Sequence, residues 1–438
     1  MSYNTHSAPS ELKITDIRFA DINGAPMHCT LMKIYTNQGL VGLGEVRDGA
    51  SKTFAAMLKS RLIGENPCDI DRLFRRIKQF GGHARQGGGV SGIEVALWDL
   101  AGKAYGVPIY RMLGGRFRDR LRIYCDTDVG GRDTGKTMGE ALKKRMEQGF
   151  TFLKMDLGIG QLGDERETLC RSIGSQYTPI EGDDYLSRLK RRNLSYDRDN
   201  IPHPFTGTYI TEHGLDILEQ YVADVRGVIG YEVPLAIDHF GHIGVEDCIK
   251  LAKRIEKYNL AWLEDMVPWQ YTEQYVRLSH ATTIPVCTGE DIYLKEGFLP
   301  LLQRGGVSVI HPDVLTVGGI SELKKIGDLA QDYGVAMAVH MAESPIACMA
   351  AAHVCMSSEN FLALEYHSAD CEWWDDLVVG RNTPIVDHGW ITVDDKPGLG
   401  IDDLNDEVIK EHLHKAYPGV WEPTDEWNNE WSHDRLWS

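Results

Sequence analysis

Three carboxylates in this chain share one setting and one spacing. Asp238 closes the run LAIDHFGH, Glu264 stands in AWLEDMVP and Glu290 in PVCTGEDI, 26 residues apart each time. Each acid ends a short apolar stretch of strand character, and a helical pattern separates each from the next. The interval matches one strand-plus-helix unit of a barrel of parallel strands. Acids at the C-terminal ends of successive parallel strands point into one mouth, where they repel one another unless a cation joins them. Oxygen donors alone suit a hard divalent ion such as Mg²⁺. Any single acid of this kind could instead cap a helix or face solvent. Three in register point to a metal site at Asp238, Glu264 and Glu290.

The rest of the chain can be fitted around that frame. Strand patterns lie at 122–127, 152–156, 235–240, 261–264, 285–288, 307–310, 336–340 and 362–365. Polar loops follow them and, in most cases, a helical pattern. Eight parallel strands with crossover helices close as a (β/α)₈ barrel, placed here at residues 119–385. A chain of 438 residues holds such a barrel of about 250 residues and a smaller partner besides. The partner is an α+β domain at residues 1–118. It has two strand runs with a turn at Asn37, Gln38 and Gly39, then helical patterns, the last an amphipathic helix from Ser91 with apolar Ile93, Ala96, Leu97 and Leu100. The barrel carries a long polar insert at about 158–209, either functional or a subunit contact. Residues 386–438 hold a hairpin-like segment returning to the N-terminal domain and a Trp-rich tail, Trp421 to Trp437, which needs a surface to pack on.

Charge and cysteine usage narrow the class. A net charge of −18 with no basic run argues against a nucleic-acid partner. The nine cysteines include no CxxC pair and no signal segment is evident, which predicts reduced thiols and a cytoplasmic location. No apolar run reaches the length of a membrane span. The aromatic tail and the insert suggest a homo-oligomer.

Further strand ends carry reactive groups. The second strand reads FLKMD, with Lys154 and Asp156 on one face by period-2 alternation. His311 and Asp313 follow the sixth strand, His340 ends the seventh and Glu365 the eighth. A His and an Asp on adjacent strands can pair through Nδ1, which orients the imidazole and raises its basicity, as proton abstraction requires. Each also has a structural reading. Lys154 would neutralise carboxylates, Asp313 would cap the helix near Ile320, and Glu365 would sit in a salt bridge.

These motifs, with the helix GIEVALWDLAGKAYGVPIYRMLGG, closely resemble the mandelate racemase subgroup of the enolase superfamily from Lys13 to Asp403, apart from the insert. The resemblance implies a modified TIM (β/α)₈ barrel under an N-terminal α+β capping domain, one Mg²⁺ held by Asp238, Glu264 and Glu290, and a carboxylate substrate with an acidifiable α-proton. His340, oriented by Asp313, would be the base, and Glu365 would hydrogen-bond the carboxylate oxygen that gains charge. Many members carry Lys-x-Lys on the second strand. Here the motif is Lys154-Met155-Asp156, so the second base of a racemase is missing.

One base suits β-elimination: dehydration of a sugar acid to a 2-keto-3-deoxy acid. His242 or His340 itself would protonate the departing hydroxide. An epimerase or cycloisomerase using Lys154 is the rival on the same scaffold, and a non-catalytic barrel the remoter one. Stereochemistry would be read by the insert and by the loops at 22–27 and 47–52. His83 and Arg85, in a Gly-rich bend, would reach a carboxylate or steady their loop.

Overall fold

A computed structural model of the chain describes residues 7–129, 134–162, 167–170, 180–199, 209–238 and 243–431. The eight runs read as barrel strands are strands: Leu121–Asp126, Leu153–Asp156, Leu235–Asp238, Leu263–Glu264, Val286–Thr288, Val309–Ile310, Ala336–Val339 and Phe361–Tyr366. They lie side by side in chain order, and the eighth also pairs with the first, so the parallel barrel is closed. By density of contacts the chain forms two compact units. One is Met1–Ile123 with Gly289–Leu299 and Ile310–Ser438, and the other is Tyr124–Thr288 with Pro300–Val309.

The first unit begins with an antiparallel sheet of β1 (Ile14–Asn23), β2 (His28–Thr36) and β3 (Val41–Val46). The turn between β2 and β3 needs a residue at positive φ, and Gly39 supplies it at +79°. Against the sheet packs a helix, Gly88–Tyr105. The apolar spacing predicts an amphipathic helix from Ser91, but the helix starts three residues earlier and buries fifteen of its eighteen residues. Glycines make this enclosure possible. A Cβ added to Gly92 would stand 2.2 Å from the Glu45 carbonyl oxygen, and one on Gly44 would stand 2.4 Å from that of Gly92. Backbone therefore meets backbone where side chains would hold the elements apart. Ile93 and Leu97 are fully buried, and truncating either to Ala would cost roughly 2–5 kcal/mol.

The polar residues inside this packing are satisfied by the ends of barrel helices. Glu94 accepts hydrogen bonds from the backbone N–H of Ile320 at 2.6 Å and Ser321 at 2.9 Å, the start of the helix Ile320–Asp332. Glu45 does the same for the helix Pro345–Met356 through Ser344 N at 3.1 Å and Ala347 N at 3.4 Å. Carboxylates at helix N-termini answer orphan N–H groups and the positive end of the dipole. Burial still pushes both carboxyls up to about 7.

The tail packs on its own chain. Val420 bridges to Ala20 of β1, Trp421 N donates to Phe19 O at 3.1 Å, and Trp427 rests on the core of the N-terminal domain. In the second unit, the ends of the insert are drawn together by an antiparallel pair, Leu169–Cys170 with Tyr209–Ile210. Among the described residues no helix is long and apolar enough to cross a membrane.

Candidate active site

The sixth barrel strand ends at Ile310 and the seventh at Val339. Just beyond, Asp313 and His340 are bridge partners in parallel register, so the backbone delivers their side chains next to each other. Asp313 Oδ2 lies 2.7 Å from His340 Nδ1. Its other oxygen accepts from Leu315 N at 2.7 Å and Thr316 N at 3.0 Å, which stops the carboxylate from swinging away. A carboxylate at Nδ1 selects the tautomer with its proton there and leaves the Nε2 lone pair facing outward. Nε2 lies 3.3 Å from Glu290 Oε2 and 3.8 Å from Glu365 Oε2. Glu365 is fully buried, and its other oxygen is 3.2 Å from His367 Nε2.

Arg47, from the end of β3, organises this group. Its guanidinium is fully buried and lies 2.8 Å from Asp48, 3.3 Å from Asp313, 3.3 Å from Glu343 and 3.5 Å from Glu290. It also donates to Thr316 Oγ1 and to Glu290 O. Burial works to raise the Asp313 carboxyl, but the Arg47 charge and the hydrogen bond from His340 hold it below its usual value. Asp48, opposed by burial in the same way, is brought down to about 2 by Arg47 and Arg85. Glu343 goes the other way: burial, with the Asp313 charge beside it, pushes it well above the ordinary range. One guanidinium thus sits among four carboxyls, and the one raised furthest is the one that most easily stays neutral.

The second unit holds a separate constellation. Asp238 and Glu264 are register partners on adjacent strands, and the Lys154 ammonium reaches both, 3.2 Å from Asp238 Oδ2 and 2.7 Å from Glu264 Oε1. The remaining Glu264 oxygen accepts the indole N–H of Trp262 at 2.6 Å. That indole is fixed between Phe152 and Tyr124, whose rings stand 4.9 and 5.3 Å away. All six polar and aromatic groups are buried.

Family comparisons agree with this geometry. The enolase C-terminal domain-like family matches residues 137–407, and the mandelate racemase/muconate lactonizing enzyme N-terminal domain matches residues 17–114. The chain belongs to the mandelate racemase branch of the enolase superfamily. It is 32% identical to a D-xylonate dehydratase of Haloferax volcanii, over 94% of this chain and 91% of that one. It is 29% identical to a D-galactonate dehydratase of Verminephrobacter eiseniae, over 88% and 91%. Among solved structures, a mandelate racemase/muconate lactonizing enzyme-like protein of Rubrobacter xylanophilus superposes with a TM-score of 0.77 at 30% identity, covering 93% of this chain and 99% of that one.

Several expectations for this superfamily member meet a specific outcome. Lys154 neutralises carboxylates, as its structural reading has it: its ammonium goes to Asp238 and Glu264, two of the acids proposed for the metal. Asp313 does not cap the helix at Ile320, because Glu94 does. His83 steadies its loop, Nδ1 accepting from Tyr293 N at 3.0 Å, and Arg85 pairs with Asp48 at 3.0 Å. His242, with His239 and Phe240, lies outside the described residues. Sequence reasoning marked the loop at 47–52 without assigning Arg47, and it missed Glu343 and His367. His367 had a signal: it stands two residues past Glu365, one residue beyond the end of the strand Phe361–Tyr366, where continued alternation would face it the same way.

Proposed function

We propose that this enzyme is a carbon–oxygen lyase that dehydrates a sugar acid, removing the proton α to the carboxylate and expelling the 3-hydroxyl to leave a 2-keto-3-deoxy acid. The observation that carries the reading is the Asp313–His340 pair, a single oriented base with its Nε2 lone pair exposed to the Glu290 and Glu365 side. Relatives spanning nearly the whole chain are named for D-xylonate and D-galactonate, so aldonic acids of five or six carbons are the substrates to expect.

Asp238, Glu264 and Glu290 would hold the metal, for which Mg²⁺ is the proposed ion. Their donors are all carboxylate oxygens, the kind a hard cation takes. Asp238 and Glu264 already converge on a positive charge, that of Lys154. When bound, the ion polarises the substrate carboxylate and makes the α-proton more acidic. His340 Nε2 takes that proton, and Asp313 stabilises the imidazolium that results. Glu365, protonated, would donate to the carboxylate oxygen that gains charge. The electron pair left at C2 forms the double bond to C3 as the C3–O bond breaks. The departing hydroxide receives a proton from His340 when it leaves on the same face, or from His242. The enol then ketonises, taking a solvent proton at C3.

The second strand favours this reading over epimerisation. It reads Lys154-Met155-Asp156, with an Asp where many members carry the lysine base of the opposite face, and the Lys154 ammonium donates to Asp238 and Glu264. Its role here is to anchor the anionic substrate or its own two acids. The test is to incubate the protein with Mg²⁺ and a stereochemically complete set of sugar acids in D₂O. The expected product is a 2-keto-3-deoxy acid deuterated at C3. A C2 epimer deuterated at C2, without keto product, would overturn the lyase in favour of an epimerase.

A further inference from the structure

His340, Glu365 of the eighth strand and His367 just past its end form a ligand set, of which the proposed chemistry uses the first two and leaves His367 without a role. His340 Nε2, a Glu365 carboxylate oxygen and His367 Nε2 all lie within 4.8 Å of one another. The carboxylate is 3.8 Å from His340 Nε2 through one oxygen and 3.2 Å from His367 Nε2 through the other. Ligand atoms about 2.0–2.2 Å from a tetrahedral zinc ion stand roughly 3.3–3.6 Å apart, and each of these two contacts lies within a few tenths of an ångström of that range. We infer that His340, Glu365 and His367 form a second metal site, selective for zinc and similar borderline divalent cations over magnesium.

Three observations support the inference. Two imidazoles and one carboxylate are the ligand set of zinc sites that leave a fourth position open, and imidazole ligation rises steeply toward the later transition metals. Mg²⁺ takes oxygen donors and gains little from two nitrogens. Next, His340 already has the outer partner that a ligating histidine needs: Asp313 at Nδ1, 2.7 Å away, itself held by Arg47 at 3.3 Å. Such partners fix the ring and strengthen the ligand. Lastly, the His367 Nε2 atom and both Glu365 oxygens are buried while the His367 side chain as a whole keeps 18% exposure, so the ligand atoms are screened from water at a site that still borders the surface. The site shares none of its ligands with Asp238, Glu264 and Glu290. Its formation does not depend on the dehydratase reading. Where that reading holds, an ion at Nε2 occupies the lone pair that receives the α-proton, so zinc inhibits without displacing magnesium.

The test titrates Zn²⁺ calorimetrically into the full-length protein in excess Mg²⁺, with Co²⁺ as an absorbing probe. One equivalent of Zn²⁺ should bind, and Co²⁺ should show visible bands of nitrogen ligation. His367→Gln should weaken Zn²⁺ by at least the ~10–100-fold lost with a supporting partner, and remove the Co²⁺ bands, while Mg²⁺ still binds. If His367→Gln does not fold by circular dichroism, Glu365→Gln is read in the same way. Zn²⁺ binding of equal affinity in the variants, or uptake abolished by excess Mg²⁺, would overturn the site. A protein that turns over no sugar acid yet passes the Zn²⁺ titration would refute the proposed reaction and leave this inference standing.

Discussion

Around Arg47, four carboxyls are gathered by one guanidinium and by backbone N–H groups; around Lys154, two carboxylates share one ammonium and an indole N–H. The difference lies in what each arrangement can release. A guanidinium stays charged in proteins, has a rigid fork of donors and is fully buried here. Asp313 is held further by Leu315 N and Thr316 N. Removing any one contact leaves the others in place. Lys154 is a point charge on a flexible stem, and Asp238 and Glu264 could exchange it for another cation without disturbing the fold. The first arrangement suits the proposed base, and the second the proposed ion.

Five substitutions probe that contrast, beginning with the most severe. Glu264→Gln should weaken Mg²⁺ in a calorimetric titration and abolish turnover, with the circular dichroism spectrum unchanged; full activity of EDTA-treated protein without added metal would show that the second cluster takes no ion. His340→Asn should lower turnover by about 10³-fold or more, stop α-proton exchange with D₂O, and leave Mg²⁺ binding intact, so that the two clusters separate in one variant. Arg47→Met would strand buried charge among Asp48, Asp313, Glu290 and Glu343, and chemical denaturation should show a loss of roughly 3–5 kcal/mol; a loss below 1 kcal/mol would mean that the cluster does not depend on its guanidinium. Asp313→Asn keeps the base but loosens its orientation, and kcat should fall on the order of 10²-fold with less change in KM. Trp262→Phe keeps the ring packing and deletes one N–H, so Mg²⁺ affinity should fall about 10-fold; an unchanged affinity would mean that Glu264 is oriented without it.

The candidate site was legible in the sequence wherever it depends on local periodicity. Asp238 and Glu264 each end a strand, and Glu290, Asp313 and His340 follow strand ends closely. Glu365 lies within the eighth. Alternation by two residues says which way a strand side chain faces once its strand is recognised. The barrel follows from the same information, because strand and helix patterns alternate along the chain, interrupted once by the insert, and few connections are then allowed.

The tertiary structure alone decided which distant elements meet. Arg47 reaches Asp313 across 266 positions, Glu45 finds Ser344 across 299 and Glu94 finds Ile320 across 226. The helix Gly88–Tyr105 is enclosed and not half-exposed because β3 and the barrel helices both pack on it, something its own pattern of apolar residues cannot express. Lys154 goes to Asp238 and Glu264 for the same reason: which acids a long flexible cation reaches depends on the neighbouring strands, and a strand carries no record of its neighbours' side chains. Periodicity is a property of a segment, whereas the partner of a buried charge is set by whichever opposite charge the closed fold brings within a few ångströms.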